Sequence, residues 1–296
     1  MASELFCKKS SRSPIPITVS RGTCNEREAR SYPRKRQGCC RECSRFFTLH
    51  AILFKNAVFH ADALSVDDVY DGRLFFRARC DTIGFMTDHI SVLLSRYPSL
   101  SVCENDIRFA YELIKTCYEN GGKLIVAGNG GSAADSDHIC GELLKSFVKK
   151  RRIEKSFIDT LIAIDAESGA YLSNTLEGSL PAISLANQAA VMTASLNDVD
   201  GNALFAQQLN GYGKAGDVFL GISTSGNAKD VVYAAVVAKA KGMKTIALSG
   251  KTGGKLASLS DAAIVVPENE TYKIQELHLP VYHALCLQIE AYFFAD

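Results

Sequence analysis

Two hydrophobic rhythms divide the chain from Met86 onward. Short unbroken apolar runs, "KLIVAG", "DVFLGIS", "KTIALSG" and "AAIVVP", alternate with segments whose apolar residues return every three or four positions. Unbroken runs bounded by turn residues read as strands buried on both faces, and the three-to-four spacing reads as amphipathic helix. "HISVLLSRYPSL" predicts a short helix stopped near Pro98. "ENDIRFAYELIKTCYEN" predicts a longer one, with Ile107, Ala110, Tyr111, Leu113, Ile114 and Cys117 on its inner face and "GG" closing it. Residues 150 to 185 carry weaker signals and read mostly as loop. Helices are expected over "LANQAAVMTASLND", "GNALFAQQLNGY", "AKDVVYAAVVAKAKG", "GGKLASLS" and the long terminal "YKIQELHLPVYHALCLQIEAYFF", where Pro280 removes one helical hydrogen bond and predicts a kink. Strands alternating with helices predict an α/β fold: a three-layer, doubly wound parallel sheet with helices on both faces.

The chain before Met86 has a different texture. Residues 1 to 50 hold 11 Lys or Arg against 4 Asp or Glu, whereas the remainder holds 22 against 28. "SYPRKRQGCCRECSR" lacks the apolar content to offset the entropy of ordering it. Residues 1–85 are therefore read as a disordered basic extension, with Met86 a candidate alternative start, and 86–296 as the folded domain. Cys39, Cys40 and Cys43 could form half of a zinc site, but no second CxxC or His pair stands at finger spacing. Without interleaved aromatics the basic tail is a weak nucleic-acid signal, and nucleic acid is not the expected partner. No apolar run is long enough to span a membrane, and no compact apolar segment near the start suggests secretion. Cys103, Cys117, Cys140 and Cys286 sit singly in helical apolar patterns, which fits small free hydrophobes in a reducing cytoplasm.

Candidate chemistry lies where strands run into helices, since open parallel sheets bind ligands beyond the carboxyl ends of their strands. "GISTSGNAKD" offers the hydroxyls of Ser223, Thr224 and Ser225 ahead of a helix, a suitable cradle for a dianionic phosphate, although a capped turn uses the same residue types. "AGNGGSAAD" is not a dinucleotide fingerprint, because Ala133 stands where the third glycine belongs, and no GK[ST] makes it a P-loop. Its glycines allow a small ligand close to the backbone, beside Asn129 and Ser132. His138 and Glu142, four apart, lie on one helix face and can meet one ligand, though such pairs are also common on surfaces.

Together these motifs resemble the sugar isomerase (SIS) fold, and within it the sedoheptulose-7-phosphate isomerase, or phosphoheptose isomerase, family. The resemblance runs from Met86 to Phe294, with "GNGGSAAD", "GISTSGN", "GMKTIALSG", "GGKLA", "YKIQE" and "YHALC" in the family's order. It implies that Asn129, Gly130, Gly131, Ser132, Asn197, Asp198, Ser223, Thr224 and Ser225 line a sugar phosphate. It implies one Zn2+ per subunit on His138, Glu142, Gln275 and His283, with Glu142 and Gln275 also facing substrate. Catalysis would fall to Glu142 as base and His283 as proton donor or shuttle, moving a proton between adjacent carbons through an enediol. A cytoplasmic homotetramer is implied as well. Two departures stand out: Ala228 replaces a family serine, and the 153–185 segment is longer than the family's link. The alternative is a non-catalytic SIS module that senses a phosphosugar or binds a partner such as a replication initiator; the presence of all four ligand and proton-transfer residues favours the enzyme.

Overall fold

The computed structural model describes residues 64–70, 73–78 and 87–294. The chain divides into two units, Met1–Asp81 and Thr82–Asp296. In the first, β1 (Leu64–Tyr70) and β2 (Arg73–Ala78) pair antiparallel, with a register shift between Val66 and Asp68. The expected extension over 1–85 thus contains a hairpin. The rest of it, including Cys39, Cys40 and Cys43, lies outside the described residues.

The second unit opens with α1 (His89–Arg96), started by Asp88, whose carboxylate accepts from the Ile90 and Ser91 amides at 3.1 Å each. Pro98 ends it and begins a 3-10 turn, Pro98–Cys103, that leads into α2 (Glu104–Glu119). There follow β3 (Leu124–Gly128), α3 (Gly131–Leu144), α4 (Lys155–Ile164), α5 (Ala166–Thr175), β4 (Ala182–Ser184) and α6 (Ala189–Asp198). The chain continues through α7 (Leu204–Tyr212), β5 (Val218–Ser223), α8 (Lys229–Ala240), β6 (Lys244–Ser249), α9 (Gly254–Leu259), β7 (Ala262–Val265) and α10 (Thr271–Phe293).

The five later strands form one sheet in the order β4-β3-β5-β6-β7, every neighbouring pair parallel. Period-two alternation sorts its side chains into two cores. Leu124 and Val126 of β3, Val218, Leu220 and Ile222 of β5, and Ile246 and Leu248 of β6 meet α1, α2, α3 and α10 on one face. Ile125, Ala127, Phe219 and Ala247 meet α7, α8 and α9 on the other. Three layers result, as the alternation of strands and helices predicts. Cys103, Cys117, Cys140 and Cys286 are free and buried, and burial pushes the Cys103 and Cys117 thiols up to about 11. Among the described residues no helix is long and apolar enough to cross a membrane.

Two readings need correction. Residues 150 to 185 are not mostly loop: α4 and α5 form a helical hairpin. Asp165 starts α5 by accepting from the Ser168 amide at 2.7 Å. Gly169 passes so close to α4 that a Cβ there would meet the Leu161 carbonyl and the Ile162 backbone. Phe157, Ile158, Leu161 and Ile162 recur at helical spacing in α4, although none of its residues is buried. Likewise "LANQAAVMTASLND" is not one helix. A 3-10 turn, Leu185–Asn187, precedes α6, and Ser184 caps that turn at the Ala186 amide. α10, by contrast, runs as one helix through Pro280.

Because both cores close within residues 87–294, a chain of residues 86–296 is expected to fold alone and to melt as the full chain does. Thermal melting of the two chains side by side tests this; insolubility or a clearly lower melting temperature of the short one places the preceding residues in the fold.

Candidate active site

β3 and β5 are neighbours in the sheet, yet the chain leaves them in opposite directions. After β3 it enters α3 on the face of the first core, and after β5 it enters α8 on the face of the second. The two exit loops therefore part at the carboxyl end of the sheet, which is the switch point where a doubly wound sheet opens a crevice. Asn129 of the first loop spans it, donating from its amide nitrogen to both Asp230 oxygens at 2.9 and 3.1 Å.

The β5 loop is held from behind by α9. Asn227 accepts from the Lys255 amide at 3.1 Å and donates to the Ser225 carbonyl at 2.9 Å, and the Gly226 carbonyl accepts from the Leu256 amide at 2.9 Å. Gly226 has φ +65°, and a Cβ there would run into the Gly253 backbone, so only glycine lets this loop lie against α9. Ser223 is buried, while Thr224 and Ser225 are half-buried at the rim. Ala228 occupies the position before α8 and gives that helix no side-chain cap.

The β3 loop turns at Gly130, with φ +57°, and enters α3 at Gly131. A Cβ on Gly131 would lie 2.5 Å from Gln275 Nε2, so the glycine is what lets Gln275 of α10 approach the start of α3. Along α3, Ser132 and Ser136 are buried, and then His138 and Glu142 appear on the side facing α10. His138 Nε2 lies 3.1 Å from Glu142 Oε1, and the His138 ring meets the His283 ring edge to face, centroids 5.0 Å apart. Glu142 is 12% exposed, and Lys145 Nζ stands 3.4 Å from its other oxygen. Phe147 lies against the far side of His283, centroids 5.4 Å apart.

Two residues that sequence reasoning missed set the proton on His138. Tyr282 donates its hydroxyl to Asp135 Oδ1 at 3.2 Å, and the Tyr282 oxygen lies 3.0 Å from His138 Nδ1. With its proton given to Asp135, Tyr282 can only accept from His138, which places the imidazole proton on Nδ1. A neutral His138 then points its Nε2 lone pair at Glu142, acceptor against acceptor, and the pair needs a proton or a cation to sit at this distance. His283 Nε2 is buried without a hydrogen-bond partner. Burial, then the nearby His138, lowers the His283 pKa, with Glu142 opposing. Burial raises the Asp135 carboxyl, opposed by the Tyr282 hydroxyl and His138. Asp135 and Tyr282 were invisible in the sequence because their meeting depends on α3 packing against α10; the faint signal was Asp135 one helical turn before His138.

The structure thus gathers Gln275, His138, Glu142 and His283 along the α3–α10 contact. It sets at the switch point Asn129 and Gly130 with Gly131 and Ser132 of the first turn of α3, and Ser223 at the end of β5 with Thr224 and Ser225. Asn197 and Asp198 are separate. They lie exposed at the end of α6, where Asn197 donates to Asp198 at 2.7 Å and no hydrogen bond ties either to the two loops. Among the described residues no three His, Cys, Asp or Glu side chains are grouped closely enough to hold a metal ion as they stand. A recess of about 410 Å3 on the neighbouring side of α3, lined by Asp137, Gly141 and β4, includes none of the candidate residues.

Comparison with known proteins shows the family. The SIS domain family model matches residues 163–250. The phosphoheptose isomerase of Sulfurimonas denitrificans is 38% identical over 196 residues, 65% of this chain and 87% of its own length. That of Nitratiruptor sp. is 38% identical over 213 residues, 70% of this chain and all of its own. Among solved structures, a phosphoheptose isomerase of Neisseria gonorrhoeae superposes with a TM-score of 0.53 at 30% identity, covering 68% of this chain and 95% of that one. One from Francisella tularensis gives 0.54 at 30% identity, over 67% and 92%. With the parallel sheet, the two loops and the α3–α10 contact in place, the chain belongs to the phosphoheptose isomerase family and is a sugar-phosphate isomerase.

Proposed function

We propose that this isomerase interconverts sedoheptulose 7-phosphate and D-glycero-D-manno-heptose 7-phosphate through an enediol. The observation that carries the reading is the cluster of Glu142, His138 and His283 across α3 and α10: a mostly buried carboxylate 3.1 Å from His138, whose ring packs in turn on His283, an imidazole with a buried, unpartnered nitrogen. Glu142 takes the proton from the hydroxyl-bearing carbon next to the carbonyl and returns it to the former carbonyl carbon. His283 moves a proton between the two oxygens, so no atom is gained or lost. Burial lowers its pKa and so favours the neutral imidazole, which carries one donor and one acceptor nitrogen. The phosphate is assigned to Ser223, Thr224 and Ser225 with the open amino terminus of α8, and the sugar to Asn129, Gly130, Gly131, Ser132 and Gln275.

His138, Glu142, His283 and Gln275 are assigned to one zinc ion. Two observations support this donor set: the lone pair of His138 faces the Glu142 carboxylate, and His283 Nε2 has no partner. The Tyr282–Asp135 chain behind His138 Nδ1 is the kind of outer support that ligating imidazoles use. When bound, zinc supplies Lewis-acid polarisation of the sugar's carbonyl and hydroxyl oxygens. A ligating carboxylate is a weaker base, which sets a tension within the two roles of Glu142. The same tension holds for His283, since ligation through one ring nitrogen would leave only an N–H at the other, a donor that cannot also accept.

Asn197 and Asp198 enter this reading through assembly. Leu196 and Val199 beside them are 63% and 72% exposed, apolar surface of the kind another subunit covers. A cytoplasmic homotetramer whose sites draw on more than one subunit would bring them to a sugar.

Glu142→Gln is expected to reduce turnover about 10²- to 10⁴-fold with substrate affinity nearly kept. The measurement is solvent deuterium uptake next to the carbonyl of sedoheptulose 7-phosphate, with zinc content determined in parallel. Exchange lost with zinc retained makes Glu142 the base. Exchange retained moves the base elsewhere, and zinc lost with it makes Glu142 a ligand first. Ala228→Ser restores a cap to α8 and is expected to add about 1 kcal/mol of stability and to tighten binding of the substrate phosphate. Calorimetry with sedoheptulose 7-phosphate checks the second effect, and unchanged affinity takes this helix start out of the phosphate site.

A further inference from the structure

Arg151 stands outside both loops and both site helices, yet its side chain is entirely buried. Its Nε donates to Glu290 Oε1 at 2.8 Å, Nη1 to the Leu143 carbonyl and Nη2 to the Glu142 carbonyl, both at 2.7 Å. Those carbonyls belong to the last turn of α3, where helical amides to satisfy them run out. Glu290 sits on α10, two turns beyond His283, with a side chain 1% exposed. It also accepts from the amides of Phe147, Val148 and Lys149 at 2.8, 3.0 and 3.1 Å. Burial alone would raise its carboxyl, but the Phe147 and Val148 amides, the Arg151 guanidinium and the Lys149 amide outweigh burial and hold it below the usual range.

One ion pair therefore joins three pieces. It fixes the end of α3 that carries Glu142, the helix α10 that carries His283, and the turn after α3 that presses Phe147 onto the His283 ring. A buried ion pair is an inefficient source of stability, because apolar side chains of like volume often serve as well. What a guanidinium fork adds is direction, since its planar donors reach several acceptors in one fixed geometry.

We propose that Arg151 is a positioning residue of the isomerase: it holds the Glu142 main chain directly, and His283 through Glu290 and Phe147, so that base and shuttle keep their separation across two helices. The proposal rests on the reading of Glu142 and His283 as the proton-transfer pair.

The test uses full-length Arg151→Lys and the double variant Arg151→Met with Glu290→Gln, which removes both charges and strands neither. Turnover and KM for sedoheptulose 7-phosphate, zinc content and thermal melting are measured on each, beside Glu142→Gln. A lysine keeps the charge but offers no fork, so both variants are expected to fold, keep zinc and KM, and lose about 10- to 100-fold in kcat, the scale of a sub-ångström to ångström misplacement. Lower melting with wild-type kcat per folded molecule makes Arg151 structural only and overturns the proposal. A rise in KM with kcat unchanged overturns it too. If the double variant, freed of any stranded charge, still fails to fold, the pair is a folding requirement and the proposal falls. The two readings separate cleanly: an active Glu142→Gln enzyme removes the proton-transfer pair itself, whereas an inactive one beside fully active Arg151 variants removes only the positioning role.

Discussion

Parallel strands that lie side by side while their chains depart to opposite faces of the sheet are the constraint behind this site. All five residues of β3 and all six of β5 are buried, so neither strand can offer a ligand anything until it ends. A fully buried large aliphatic side chain contributes about 1.5–3 kcal/mol, and the alternation of Leu124 and Val126 against Ile125 and Ala127 ties the register to both cores at once. A slip of one residue would exchange the faces. Register, in turn, decides that the Asn129 and Ser223 loops end level with one another, and that α3 lies where α10 can reach it.

How much of this could be read from residue order varies with the range of the interaction. Four of the five strands were plain because burial on both faces leaves unbroken apolar runs such as "LIVAG", whereas the three-residue β4 lay hidden in the stretch read as loop. The loops were plain because glycines and hydroxyls stood between such runs and helices. His138 and Glu142 were found through spacing within one helix. Tyr282 and Asp135 were not, since 147 positions separate them and no local rhythm records that α3 and α10 touch. Arg151 and Glu290 were hidden more deeply, because in a linear reading each looks like one more solvated charge. The α4–α5 hairpin escaped although Phe157, Ile158, Leu161 and Ile162 stand at helical spacing, a pattern legible in residue order that the loop reading passed over, and α4 buries none of them. Asp165, three residues before Ser168, was the one capping signal available there.

The polar interior also shows why charge could not be judged residue by residue. Asp217 is fully buried, yet it accepts from the Lys123 amide at 3.0 Å and from Lys123 Nζ at 2.6 Å, closing the start of β3 against the start of β5. Here, as at Glu290, a buried carboxylate is tolerated because backbone amides and a cation surround it. Both serve as joints between segments far apart in sequence.

The hairpin carries one more consequence. The Gly178 amide donates to the Arg151 carbonyl at 3.0 Å, and the Leu180 amide to the Leu143 carbonyl at 3.0 Å, so the chain comes back to the place it left. Residues 152–177 are thus an excursion hung from a closed stem. The entropy of closing such an excursion grows only with the logarithm of its length. Lengthening or shortening it changes the surface of the protein far more than the stability of its stem, which makes this the place where a lineage can try out new shapes without touching the chemistry.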